Sequence, residues 1–225
     1  MSLILSIDTT AEFGSLALLG LRDSGEAIEA ELPIHAPDGF GHILYDHLQA
    51  LLKRNNVELR AITLFAAASG PGSFTGVRVG LAAAKGLAEV SAKQMVAVSN
   101  LRALASFGTK PRRATLLDAR RGEVYAAIYG ERLEIISDEV VAPLPQWLAS
   151  SDLTGDIEFV AQDFTAFAGA LPPAVPRTTA PRALAMAIAR IAAQSEPEDP
   201  AAVDANYVRR SDAELFWTDA PPSRK

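Results

Sequence analysis

The sequence predicts an α/β protein made of two similar lobes with mixed sheets. Three observations predict it. First, a strand–turn–strand unit occurs twice at an offset of 110 residues. Residues 7–20 (IDTTAEFGSLALLG) align without a gap on residues 117–130 (LDARRGEVYAAIYG), placing Asp8 on Asp118, Ala17 on Ala127, Leu18 on Ile128 and Gly20 on Gly130. Chance likeness of a common unit and true duplication both account for that match taken alone. Second, each copy opens three meandering strands followed by alternating helices and strands. Third, 225 residues that are 49% hydrophobic and 21% charged are enough to fill globular cores, which excludes intrinsic disorder.

The elements follow in order. Apolar alternation places strands near 3–8, 14–20 and 26–32. Ile43, Leu44, Leu48, Leu51 and Leu52 recur at helical spacing and predict a helix over 41–54. A strand over 61–68, a glycine-rich turn and a helix over 76–90 come next. A short strand over 95–98 then runs into a helix opened by Ser99 or Asn100, both good caps. The second half restarts with a hairpin at 113–118 and a third strand near 133–141. Helices are expected near 145–150, 163–170 and 181–194, the last with Pro181 in its first turn. The lobes are therefore expected to be 1–106 and 107–225, joined near 107–111, with a loose polar tail over the last fifteen residues.

Composition narrows the function. A net charge of −6 argues against a general nucleic-acid binder, because that affinity comes from neutralising phosphates with Lys and Arg. The absence of cysteine removes disulfides, thiolate zinc sites and a cysteine nucleophile, and suits a reducing, cytoplasmic setting. The apolar start has no basic lead and runs straight into Asp8, so it reads as a buried strand and not as a signal peptide. No apolar run approaches the roughly 18 residues of a membrane helix, so no membrane association is expected.

The stretch from Ser69 to Arg78 (SGPGSFTGVR) lies between a strand and a helix, where phosphate-cradling loops sit. It matches neither the P-loop nor the dinucleotide spacing, nor a nucleophile elbow, so a tight turn launching a helix is favoured over an anion site. In the following helix Gly76, Gly80, Ala84 and Ala88 fall four apart. Two glycines inside one helix, Gly80 and Gly86, call for a packing reason. The stripe is expected to meet either this chain's own sheet or another subunit, the second slightly favoured.

Familiar catalytic sets are missing. His42 and His47 are five apart and point away from each other on a helix, where a metal pair needs three or four. Asp8 and Asp118 are the nucleotide-site candidates, facing each other if the halves are duplicates. Yet Arg120 and Arg121 stand where phosphate would need small residues, and the glycines after Gly130, Gly155 and Gly169, form no pair to receive an adenosine. The pairs Arg112–Arg113, Arg120–Arg121 and Arg209–Arg210 read as solvated faces, with tRNA phosphates as the minor alternative.

Four stretches carry a resemblance: residues 4–10 (ILSIDTT), 70–89 (GPGSFTGVRVGLAAAKGLAE), 98–105 (VSNLRALA) and 116–125 (LLDARRGEVY). On these the chain resembles the bacterial TsaB family of tRNA threonylcarbamoyladenosine biosynthesis proteins. The resemblance implies the two-lobed actin/Hsp70/sugar-kinase (RNase H-like) fold. It implies a non-catalytic accessory subunit, supporting a catalytic paralogue, TsaD, and an ATPase, TsaE. Together they place threonylcarbamoyl on the adenosine beside the anticodon of tRNAs reading codons that start with A. No cofactor is then expected on this subunit alone, ATP, magnesium and metal belonging to the partners, and tRNA is met through the complex.

The family pairs, with itself or with the paralogue, through the first two helices of its N-terminal lobe. That points to Tyr45, Gln49, Gly76, Arg78, Gly80, Ala82, Ala84, Lys85 and Ala88 as the interface. Two enzymatic readings compete. One is an ATP-binding phosphotransferase using Asp8 and Asp118. The other is a metallopeptidase-like or other peptidase, which needs a metal triad or an activated nucleophile; the sequence offers neither, Ser69 or Ser73 with Lys85 being only a spacing.

Overall fold

The computed structural model describes residues 3–21 and 24–208. The expected loose tail and the Arg209–Arg210 pair lie outside the described residues. β1 (Leu3–Asp8) is buried along its whole length, as an apolar run at a sheet centre should be. β2 (Phe13–Leu21) and β3 (Ala27–His35) meander antiparallel beside it. After α1 (Leu44–Arg54), β4 (Leu64–Gly70) returns parallel to β1. α2 (Phe74–Val90) then leads to β5 (Met95–Ser99), parallel to β4. The first sheet has the order β3-β2-β1-β4-β5.

Ser99 caps α3 (Asn100–Ala105), its hydroxyl accepting from the Leu101 and Arg102 amides. The second sheet repeats the first strand for strand. β6 (Arg112–Arg120), β7 (Glu123–Tyr129) and β8 (Ile135–Pro143) meander, α4 (Leu144–Ser150) follows, and β9 (Ile157–Ala161) and β10 (Arg177–Thr179) complete the order β10-β9-β6-β7-β8. The duplication is therefore visible in topology, not only in the hairpin.

The copies differ at two places. Where the first lobe has the 17-residue α2, the second has a 3₁₀ turn at Thr165–Phe167, which replaces the helix expected over 163–170. The final helix α5 (Ala185–Ala192) begins after Pro181, not with it, because its start is fixed from the first lobe. The Ala185 amide donates to Ser15 Oγ at 2.9 Å, the Met186 amide to Glu31 Oε1 at 3.0 Å, and Ser6 Oγ donates to the Ala185 carbonyl at 2.5 Å. β9 and β10 stand where the sequence pattern predicts no strand, the first a five-residue buried run carrying Glu158.

The terminal helices cross over. α5 packs on β1, β2 and β4 of the first sheet, and α3 on β6 and β7 of the second. Three cores result. α1 and α2 cover one face of the first sheet over Leu5, Ile7, Leu18 and Phe65. α3 and α5 share a core between the sheets with Ile4, Ala66, Val98, Ala127 and Val160. α4 covers the outer face of the second sheet over Leu116, Ala126 and Phe159.

Candidate functional site

The β1–β2 and β6–β7 turns face each other across a cleft of about 380 Å³. Asp8 lies at its floor, 2% exposed, with Asn100 equally buried. Strand alternation puts Asp8 on the same face as Ile4 and Ser6, the face turned to the other lobe. Its Oδ1 accepts from the Thr10 amide at 3.0 Å and the Thr10 hydroxyl at 2.6 Å. Asn100 Nδ2 donates to the same hydroxyl at 2.7 Å, and Asn100 Oδ1 accepts from the Gly70 amide at 3.1 Å. Burial pushes the Asp8 carboxyl above the ordinary range. The Thr10 and Asn100 hydrogen bonds oppose that shift, and the Glu31 charge adds to it.

Asp118 is not the counterpart of Asp8. It shares strand parity with Ala114 and Leu116, which belong to the outer core under α4; Thr115 and Leu117 occupy the face turned to the first lobe. The reason is a one-residue difference in turn length. Asp8 pairs with Ser15 but Asp118 with Val124, so β2 and β7 keep the 110-residue offset while β1 and β6 do not. A slip of one residue exchanges the faces of a strand. Asp118 sits at the cleft rim with its carboxylate folded onto its own turn, Oδ1 accepting from the Arg120 amide at 2.7 Å and Oδ2 lying 3.7 Å from Arg120 Nη1. Arg120 and Arg121 hold positive φ angles of 65° and 57°, and Arg120 lines the cleft.

The glycine-rich turn serves packing. A Cβ at Gly72 would stand 2.6 Å from the Thr10 carbonyl oxygen, and one at Gly76 would stand 2.1 Å from that of Thr9. The Ser73 amide donates to the Thr10 carbonyl at 2.7 Å, locking the loop onto the β1–β2 turn. The small stripe continues this contact. Gly80, Ala84 and Ala88 are buried, and a Cβ at Gly80 would lie 2.5 Å from Thr9 Oγ1. These residues, with Gly76, face the chain's own sheet. The interface expected along them is corrected on this point, because the stripe is consumed by the close approach of α2 to β1.

The opposite side of the two helices is open. Tyr45 is 55% exposed, Gln49, Arg78 and Ala82 are exposed, and Lys85 is half-buried. Gly86 also lies outside, with nothing within 4 Å of where a Cβ would stand. The sequence marks Gly86 by its helical cost without giving it a side; 100° per residue puts it one turn from Ala82. The histidines stand apart from one another. His35 pairs with Glu12 at 2.5 Å, His47 Nδ1 donates to the Ile43 carbonyl at 2.8 Å, and His42 is exposed. Among the described residues no group of three His, Cys, Asp or Glu is placed to hold a metal ion, and no helix is long and apolar enough to cross a membrane.

The family model described as "TsaD: tRNA N6-adenosine threonylcarbamoyltransferase" matches residues 32–200. The tRNA threonylcarbamoyladenosine biosynthesis protein TsaB of Escherichia coli is 34% identical over 165 residues, covering 67% of this chain and 69% of that protein. The chain belongs to the TsaB family. TsaB of Haemophilus influenzae is 31% identical over 62% of this chain and 64% of its own length, and TsaB of Bacillus subtilis 32% over 64% of each. Among solved structures, YeaZ from Pseudomonas aeruginosa superposes with a TM-score of 0.78 at 26% identity, covering 92% of this chain and all of that one. That a TsaD model spans most of a TsaB-family chain is what one shared lobe plan would produce.

Proposed function

We propose that the chain is the non-catalytic accessory subunit of a tRNA threonylcarbamoyladenosine complex. It supports a catalytic TsaD-type paralogue and a TsaE-type ATPase, which carry threonylcarbamoyl to the adenosine beside the anticodon of tRNAs reading codons that start with A. The observation that carries this reading is the pairing of TsaB kinship with a cleft whose acids point apart. Asp8 is held by Thr10 at the floor, and Asp118 is turned onto Arg120 at the rim. Among the described residues, the Asp8 and Asp118 carboxylates lining the cleft are each taken up by hydrogen bonds within their own turn.

The working surface in this reading is the outer side of α1 and α2. Tyr45, Gln49, Arg78, Ala82 and Gly86 are open there, and the small pair Ala82 and Gly86 lets a partner helix approach closely. Apolar burial at roughly 25 cal/mol per Å² would dominate such a contact.

The test is reconstitution from purified components: paralogue, ATPase, threonylcarbamoyl-adenylate and substrate tRNA, with and without this chain, with modified adenosine read by mass spectrometry. Modification should depend on the chain, while the chain alone should neither modify tRNA nor bind Mg-ATP in calorimetry. Full modification without it, or nucleotide binding by it alone, would favour the phosphotransferase reading.

A further inference from the structure

Near the start of α2, Arg78 is held in an arrangement that the fold itself does not need. Its guanidinium lies 3.6 Å from the centroid of the Phe74 ring, one turn earlier on the same helix, and 5.8 Å from that of Tyr207. Arg78 Nε donates to the Tyr207 hydroxyl at 3.0 Å. The two rings are 6.1 Å apart and tilted. Tyr207 comes from the far end of the chain, and its position is built. Val203 is buried in the core under α1 and α2, the Asn206 amide donates to the Ser69 carbonyl at 2.8 Å, and Asn206 Nδ2 donates to Glu139 Oε2 at 2.5 Å. A tethered strand of chain thus delivers a phenol to the flank of one arginine.

All three side chains stay open to solvent: Phe74 is 47% and Tyr207 49% exposed, and Arg78 is exposed. An exposed large aromatic pair clamping a cation stabilises the monomer little, since surface cation–aromatic contacts are weak. What the clamp does achieve is orientation. With Nε bonded to Tyr207 and one face on Phe74, the guanidinium has lost most of its rotamers, while its Nη donors have no protein partner among the described residues. A planar donor fixed in advance pairs with a carboxylate in two-point geometry at little further entropic cost.

We propose that Phe74, Arg78 and Tyr207 form a preorganised carboxylate-receiving anchor on the partner-docking face of α2, and that the occupant is an Asp or Glu side chain of the TsaD-type paralogue. This rests on the accessory-subunit reading above. The anchor is continuous with the open side of α2, Arg78 preceding Ala82 by one turn. Its charge calls for an acid, and a chain of net charge −6 disfavours RNA as the source of that anion. Tyr207 is a positioning residue, acting through Arg78.

The test uses the full chain and the purified paralogue from the same organism, with affinity read by biolayer interferometry and folding by thermal melting. Arg78→Ala should weaken the complex about tenfold or more at unchanged melting temperature, as central interface arginines do. Arg78→Lys should not restore it, because an ammonium cannot copy the planar fork. Tyr207→Phe, which keeps the ring and removes the hydroxyl, should weaken it about threefold in wild type and not at all on the Arg78→Ala background. Full affinity of Arg78→Ala or Arg78→Lys would overturn the anchor while leaving the accessory reading intact. No complex with the wild-type chain would overturn both. Loss confined to self-association, or to tRNA binding in a gel-shift assay, would show that the occupant is a second copy or RNA and would also overturn the proposal.

Discussion

Gly80 and Gly86 lie six residues apart on one helix and do opposite things. Gly80 lets α2 approach Thr9, whose hydroxyl donates to the Gly76 carbonyl at 2.7 Å. Gly80→Ala should therefore cost about 1–3 kcal/mol, because the added methyl meets that hydroxyl. Gly86→Ala should gain about 0.5–1 kcal/mol, since its Cβ enters open space and glycine is a poor helix former. Urea denaturation of the two variants checks both signs. The sequence shows the glycines, but the small stripe alone does not say whether it meets this chain's own sheet or another subunit.

Asp8 couples stability to pH. Its folded-state pKa is raised, chiefly by burial, above the ordinary 3.8. The native state then binds more protons than the unfolded chain between 3.8 and the raised value, so Asp8's contribution to stability falls as pH rises through that window. Asp8→Asn should remove this slope, and chemical denaturation of both proteins from about pH 4 to pH 7 would show it. Equal slopes would mean that Asp8 is solvated.

Among the elements, α5 carries the most consequence. It starts from hydrogen bonds supplied by Ser15 and Glu31 and packs on the sheet of the other lobe, with Ile188 wholly buried in the shared core. Ile188→Ala should cost about 2–5 kcal/mol and shift a single unfolding transition, not one of two. Calorimetry resolving two transitions would contradict the shared core. The crossover also marks the limit of sequence reading. Periodicity located most strands and the first-lobe helices, because their apolar faces repeat at 2.0 and 3.6 residues. It could not place the start of α5, which is set from residues about 170 positions away. It likewise overextended the 163–170 segment, where a 3₁₀ turn stands. The Asp8–Asp118 alignment failed for a related reason: a turn shorter by one residue moves an acid to the other face while leaving the letters aligned.

For the molecule as a whole, the repeated strand order records a duplication that strand patterns alone left open. The lobes then diverged on their outer faces, where one has a long α2 and the other a single 3₁₀ turn. That asymmetry gives the first lobe a broad helical exterior, while the shorter β6–β7 turn separately puts Asp118 on the other strand face. Family kinship was legible from four short motifs. The orientation of α2, on which the proposed docking surface depends, was not.

Sedimentation velocity of this chain mixed with its TsaD-type paralogue, comparing wild type with Gly86→Leu, reads pairing through the outer side of α2. Wild type should form a heterodimer, and Gly86→Leu should remain a folded monomer of at least equal stability that fails to pair. An undiminished heterodimer with leucine at that position would contradict the claim that the chain works through the outer side of α2.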